Sequence, residues 1–282
     1  MFEEKWFEIA PGLKLFERRL LPATAPRGRV IILHGYGDHC TRYSWVMEEF
    51  QKAGMASYTY DQRGHGRSPG KRGYIVRFEE LLDDLDLFLK HVREESDDTL
   101  PLFVMGHSMG GMVLARWAQT RKPHLTGLIF SSPFLAFPDE VPAILITLTP
   151  LVARLAPWAP VSKVDNRGLS RDPEIVRIAD NDPLGYQGRV TAHTAGEFNR
   201  IIGLIRRELD KITLPMLTIH GKCDRVVSPS GSLLLHEHAG AEDKTLKSFE
   251  EGYHEVYNDL DKEAFMDSIV EWMGQRLEAP TD

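Results

Sequence analysis

The chain has 282 residues, 42% hydrophobic and 27% charged, with 23 glycines and 17 prolines. That usage excludes a disordered, collagen-like or coiled-coil protein and leaves one large domain or one and a half. A net charge of −7, from 34 basic and 41 acidic side chains, argues against a nucleic-acid partner, which needs a basic face, and fits an uncharged or apolar ligand.

Two cysteines, Cys40 and Cys223, make no disulfide framework and read as free thiols in a reducing compartment. The acidic start Met1-Phe2-Glu3-Glu4-Lys5 lacks the basic and apolar stretches of a secretory signal. A cytoplasmic location is the expectation.

Residues 1–27 read as two short strands around Pro11-Gly12 followed by a polar, proline-containing stretch. Strands then alternate with helices. Short apolar runs at 29–33, 55–60, 102–105, 127–131, 216–220 and 245–249 are strand candidates, and the near-absence of polar alternation suits a parallel sheet covered on both faces. Helical periodicity marks 43–53, 78–95, 109–120, 230–239 and 262–277. In the second, Phe78, Leu81, Leu82, Leu85, Phe88, Leu89 and Val92 form one apolar stripe, with Glu79, Asp83, Asp86 and Lys90 facing away. The alternation predicts a doubly wound α/β fold.

Between Ser132 and about Asp210 no convincing strand appears, and the segment is too long for a structureless connection. It reads as an inserted helical cap, residues 133–209, with 1–132 and 210–282 forming the α/β core. Within it Ile144, Leu145, Leu148, Leu151, Val152 and Leu155 share one helical face. The apolar run 141–161 approaches the length of a membrane span, but Pro150, Pro157, Pro160 and Arg154 interrupt it, so contact with a lipid surface is expected in place of a crossing.

Leu102-Phe103-Val104-Met105-Gly106-His107-Ser108-Met109-Gly110-Gly111 runs from a strand into a helix and contains the G-x-S-x-G elbow. A serine at the tip of such a turn sits on strained backbone, and the flanking glycines let neighbouring chain pass without a β-carbon clash. A hydroxyl is a poor nucleophile at neutral pH. It needs a base, and the base needs a group to fix its tautomer. Those partners are expected after later strands, acid first: Asp224 follows the strand 216–220, and His254 lies beyond the strand 245–249.

The remaining candidates take lesser roles. His34 and His107, each beside a glycine at a strand end, read as loop-stabilising; His220 reads as a satisfied, partly buried strand histidine. Asp139 is the rival acid. Asp180 and Asp182 look like turn or capping residues, Glu255 is expected to point to solvent, and Cys223 reads as a small buried filler. His236 and His238 lie on different helix faces and form no zinc pair. The developing oxyanion needs donors, assigned to the backbone N–H groups of Met109, after the nucleophile, and of Tyr36, in the glycine-rich loop His34-Gly35-Tyr36-Gly37-Asp38.

Together, His34-Gly35-Tyr36-Gly37-Asp38-His39, Tyr60-Asp61-Gln62-Arg63-Gly64-His65-Gly66-Arg67-Ser68, Gly106-His107-Ser108-Met109-Gly110-Gly111, the Asp224 and His254 segments and the cap stretches Leu169 to Pro173 and Asp182-Pro183-Leu184 resemble the monoacylglycerol lipase and lysophospholipase group of α/β-hydrolases. The resemblance covers nearly the whole chain. It implies an α/β-hydrolase fold, a cap whose apolar face (Leu145, Leu148, Leu151) lines an acyl channel, and release of fatty acid from a monoacylglycerol. It also implies that Asp38 and Arg42 hold the glycerol side, although Asp38 stands where a longer Glu is common.

The expected chemistry is ester hydrolysis through an acyl-enzyme on Ser108, with no cofactor or metal, acting on a small lipid ester. Lysophospholipase or general carboxylesterase activity stays open, as does a non-catalytic ligand-binding role on the same fold. A carboxylate-nucleophile reaction is disfavoured by Ser108, and dinucleotide and P-loop spacings are absent from the glycine-rich turn.

Overall fold

The computed structural model describes residues 1–277; residues 278–282, the end of the span assigned to the core, lie outside the described residues. In chain order the first elements are β1 (Glu3–Ala10), β2 (Leu13–Leu20), β3 (Gly28–Leu33), α1 (Ser44–Lys52), β4 (Met55–Tyr60), α2 (Glu79–Glu95), β5 (Leu102–His107), α3 (Met109–Arg121) and β6 (Gly127–Ser131). Then come α4 (Ala143–Leu155), β7 (Pro160–Ser162), α5 (Pro173–Asn181), β8 (Val190–Thr191), α6 (Ala192–Arg207), β9 (Met216–Gly221), α7 (Ser230–His238), β10 (Lys244–Phe249) and α8 (Lys262–Leu277).

Among the described residues, eight strands form one sheet in the order β1-β2-β4-β3-β5-β6-β9-β10. β1 and β2 are an antiparallel hairpin, β2 pairs antiparallel with β4, and every later pairing is parallel. Successive residues of the central strands feed two separate cores. Ile31, Leu33, Val104, Leu128 and Phe130 pack toward α2, α3 and α6, while Val30, Ile32, Phe103, Met105 and Ile129 pack toward α1 and α8. All seven stripe residues expected on α2 are buried in the first core, each worth roughly 1.5–3 kcal/mol of apolar burial. Asp84 also lies on that buried side, neutralised by Arg63 Nε at 2.6 Å.

β3 is flanked by β4 on one side and β5 on the other. The connections leaving the carboxyl ends of β3 and β5 therefore diverge, which opens a crevice at that edge of the sheet. The glycine-rich loop follows β3 and the serine elbow follows β5, so both line the crevice.

Between β6 and β9 the chain leaves the sheet and forms α4, α5 and α6. It also forms the antiparallel pair β7 and β8, where no strand was expected. At three and two residues these strands are too short to show alternation. α4 has no buried residue. Its half-buried side is Ile146, Thr149 and Ala153, held against α6 where Gly196 leaves room for the Ala153 methyl and Asn199 Nδ2 donates to the Ile146 carbonyl at 3.0 Å. Small side chains make the close helix contact, and the expected stripe turns outward: Leu145, Leu148 and Leu151 are 58%, 42% and 53% exposed. Among the described residues no helix is long and apolar enough to cross a membrane.

Candidate active site

Ser108 sits at the junction of β5 and α3 with φ 52 and ψ −117, a strained conformation for a residue with a β-carbon. A β-carbon on Gly106 would lie 2.5 Å from the Gly110 carbonyl oxygen, and one on Gly110 would lie 2.3 Å from that of Leu33. The glycines are therefore steric requirements of the turn. Its rear is fixed by Ser108 N–H donating to the Ser131 carbonyl at 3.0 Å and by Phe134 N–H donating to the Ser108 carbonyl at 3.0 Å.

Asp224 and His254 come from the turns after β9 and β10. The two turns touch at Gly221, where a β-carbon would meet the Gly252 carbonyl oxygen at 2.2 Å, and Cys223 N–H donates to that carbonyl at 3.0 Å. The approach lets His254 Nδ1–H donate to Asp224 Oδ2 at 2.6 Å, leaving Nε2 as the ring nitrogen available to Ser108. Ser108 and the His254 ring line one cavity. They are not hydrogen-bonded to each other, a contact that catalytic pairs often tighten only with substrate in place. Asp224 Oδ1 accepts the N–H groups of Val226 and Val227 at 2.7 and 3.0 Å. Burial opposes its charge, yet His254 and His220 hold the Asp224 carboxyl well below the usual carboxylate range.

Tyr36 N–H and Met109 N–H donate to no protein acceptor among the described residues. Met109 opens α3, so its amide is one of the unpaired donors at the positive end of that helix. The Tyr36 ring packs edge-on to Phe198 at 5.6 Å and its hydroxyl donates to the Gly73 carbonyl at 2.7 Å. The Met109 side chain is buried in the core. His34 supports this loop: Nε2 accepts from Gln62 N–H at 2.9 Å, and Nδ1 lies 2.8 Å from the Gly35 carbonyl.

The cavity measures about 580 Å³, ordinary for a small-ligand site. Its apolar wall is Phe134, Phe137, Val141, Val190, Ala195 and Phe198. Leu145, Leu148 and Leu151 are not brought to it; they lie on the outer face of α4. At the polar end, Arg42 NH2 donates to Glu255 Oε2 at 2.7 Å and NH1 to Asp38 Oδ1 at 3.4 Å. Asp38 Oδ2 accepts from the Tyr43 hydroxyl at 3.0 Å. Burial would raise the Asp38 carboxyl, but Arg42, His34 and His39 bring it down to about 2.

Five further residues find their places. Glu255, expected in solvent, is 2% exposed and bound to Arg42, because the turn after His254 folds inward under the loop that follows β3. Cys223, expected to be buried, is exposed, with Sγ donating to the Glu250 carbonyl. Asp139, the rival acid, is exposed and accepts from Ser228 Oγ at 3.1 Å. Asp182 caps its turn through Leu184 N–H as expected, and it also takes His39 Nε2 at 2.7 Å, joining the inserted segment to the loop after β3. His220 is fully buried and shares Asp224 with His254; its position four residues before the acid, across a tight turn, was the available signal.

Comparison with known proteins follows the same lines. The family model described as "Hydrolase_4: Serine aminopeptidase, S33" matches residues 24–261. The monoacylglycerol lipase of Mycolicibacterium smegmatis is 34% identical over 277 residues, covering 97% of this chain and 98% of that protein. Caffeoylshikimate esterase of Arabidopsis thaliana is 33% identical over 289 residues, covering 97% and 86%. Among solved structures, monoacylglycerol lipase of Paleococcus ferrophilus superposes with a TM-score of 0.83 at 31% identity, covering 93% of this chain and 99% of that one.

Proposed function

The chain belongs to the Hydrolase_4 family of α/β-hydrolases, and from that premise we propose that it is a carboxylic ester hydrolase cleaving monoacylglycerol to fatty acid and glycerol. The observation that carries the reading is the Asp224–His254 hydrogen bond of 2.6 Å beside a strained serine, in a cavity with an apolar wall and a polar end.

In this mechanism His254 Nε2 takes the Ser108 proton as Oγ attacks the ester carbonyl. The N–H groups of Tyr36 and Met109 receive the oxyanion, each contributing about 3–4 kcal/mol to the transition state. Collapse expels the glycerol oxygen, protonated by His254, and leaves an acyl-serine. Water, deprotonated by His254, then releases the fatty acid and restores Ser108. The chain's own groups and water supply every step. Asp38 and Arg42 hold the alcohol side, and Phe134, Phe137 and Phe198 take the acyl chain. Residues 133–209 act as a cap over the core, which among the described residues spans 1–132 and 210–277.

The outer face of α4, with Leu145, Leu148, Leu151 and Leu155, rests on the lipid surface from which substrate is drawn. Supporting this, Val141 and Ser162 of the cavity wall flank the two ends of that helix segment. Ser108→Ala tests the reaction: a folded variant without turnover of monooleoylglycerol is expected, and retained turnover above a few per cent would overturn it. Leu148→Asp with Leu151→Asp tests the surface. Hydrolysis of a soluble short-chain ester should persist while cosedimentation with phosphatidylcholine vesicles falls; equal vesicle binding would refute the contact.

A further inference from the structure

One carboxylate oxygen serves two histidines. Asp224 Oδ2 accepts His254 Nδ1–H at 2.6 Å and His220 Nε2–H at 2.9 Å. His220 lies near the end of β9, fully buried, and its Nδ1 is 2.6 Å from Ser232 Oγ on α7. An ionised carboxylate cannot donate, so the proton facing Asp224 belongs to His220 Nε2. In the neutral ring Nδ1 then accepts from the Ser232 hydroxyl. The result is a directed chain, Ser232 to His220 to Asp224, entering the acid from within the core.

His220 does not line the substrate cavity, so it touches neither substrate nor reacting atoms. Two effects follow from its place. It fixes Oδ2 of Asp224, whose other oxygen is pinned by two backbone amides, so the carboxylate has no freedom to rotate away from His254. It also competes for the charge on Oδ2, and a carboxylate shared among four donors attracts the His254 imidazolium less than one shared among three.

We propose that His220 is a positioning residue for the hydrolytic reaction, holding Asp224 and setting how strongly that carboxylate supports the charged form of His254. This rests on the triad of the proposed function. Beside His254 lie His107 on β5, with its ring 4.7 Å away and Tyr257 packed on it, and Tyr253 and Glu255 next to it in the chain; Asp38, Arg42, Lys163, Asp165 and Arg167 line the same cavity. Lys222 and Arg225 flank the acid in its own turn, and Lys222 pairs outward with Glu250. None of these hydrogen-bonds to Asp224 among the described residues.

The test compares wild type with Ser108→Ala, His220→Leu, His220→Gln and Ser232→Ala, measuring kcat and KM for p-nitrophenyl butyrate from about pH 5 to about pH 9. His220→Leu should lower kcat about tenfold with KM within about twofold, and raise the midpoint of the acid limb of kcat/KM by about half a pH unit or more. His220→Gln, whose amide can donate at the same place, should recover most of both. Ser232→Ala should shift the limb in the same direction by less.

An unmoved acid limb in His220→Leu, or equal losses in the Leu and Gln variants, would overturn the proposal. If the Leu variant does not fold, an unmoved limb in Ser232→Ala does so. Turnover surviving in Ser108→Ala would instead overturn the triad itself.

Discussion

Asp224→Asn changes one atom of the site and exposes how it is wired. The side chain has four incoming donors: two backbone amides on Oδ1 and two histidine N–H groups on Oδ2. An asparagine has one oxygen and one NH2 to offer them. If the NH2 faced Val226 and Val227, two fixed backbone donors would meet another donor with no means of adjustment. Facing the histidines, it meets rings that can move their protons. The second arrangement is cheaper, so His254 is driven to carry its proton on Nε2 and loses the ability to accept from Ser108. The expected loss in kcat/KM is about 10³- to 10⁴-fold, or about 4–5.5 kcal/mol of transition-state stabilisation. The fold should persist, because the contacts to Val226 and Val227 remain. The assay is p-nitrophenyl butyrate hydrolysis near pH 8 alongside thermal unfolding. More than about 5% of wild-type kcat/KM in a fully folded variant would refute the tautomer reasoning.

Acid stability should carry the signature of Asp38. Its carboxyl falls from 3.8 to about 2 on folding, so it contributes up to about 2 kcal/mol above its unfolded value. That contribution is lost as pH drops from about 4 toward about 2. The Tm of wild type should fall through this window more steeply than that of Asp38→Asn, and parallel curves would contradict the assignment. Gly110→Ala places a methyl 2.3 Å from the Leu33 carbonyl oxygen and 2.7 Å from that of His34; it should cost about 3 kcal/mol or more in chemical denaturation, and a near-wild-type midpoint would show that the elbow tolerates the group. A thiol reagent should titrate one cysteine in the native protein, Cys223, and reach buried Cys40 only after unfolding, since burial pushes the Cys40 thiol up. Two fast equivalents would place Cys40 at the surface.

What the sequence carried, it carried through local rules. The apolar strands, the α2 stripe and the glycine spacing around Ser108 each have a steric or burial cause contained in a few neighbouring residues. The order of Ser108, Asp224 and His254 along the chain was legible for the same reason, each following its own strand. The parts that escaped depend on distant partners. Glu255 is inside because Arg42, far away in the chain, is waiting there. α4 turns its leucines outward because Gly196 and Ala153 allow a closer contact than leucines could make. Periodicity gives the existence of a face and says nothing of which neighbour claims it. β7 and β8 were invisible because a pairing of so few residues leaves no pattern.

His254 N–H donates to the Gly168 carbonyl at 3.3 Å, and Glu255 N–H to that of Leu169 at 2.8 Å. The segment of main chain that carries the histidine is thus hung on the insertion between β6 and β9 as well as on the turn after β9, where Cys223 N–H reaches the Gly252 carbonyl. For anyone recombining parts among relatives, this makes the insertion a poor cassette: a transplanted version must return two carbonyls to the same spots, or the recipient inherits a new binding chamber together with a histidine that has lost one of its hangers.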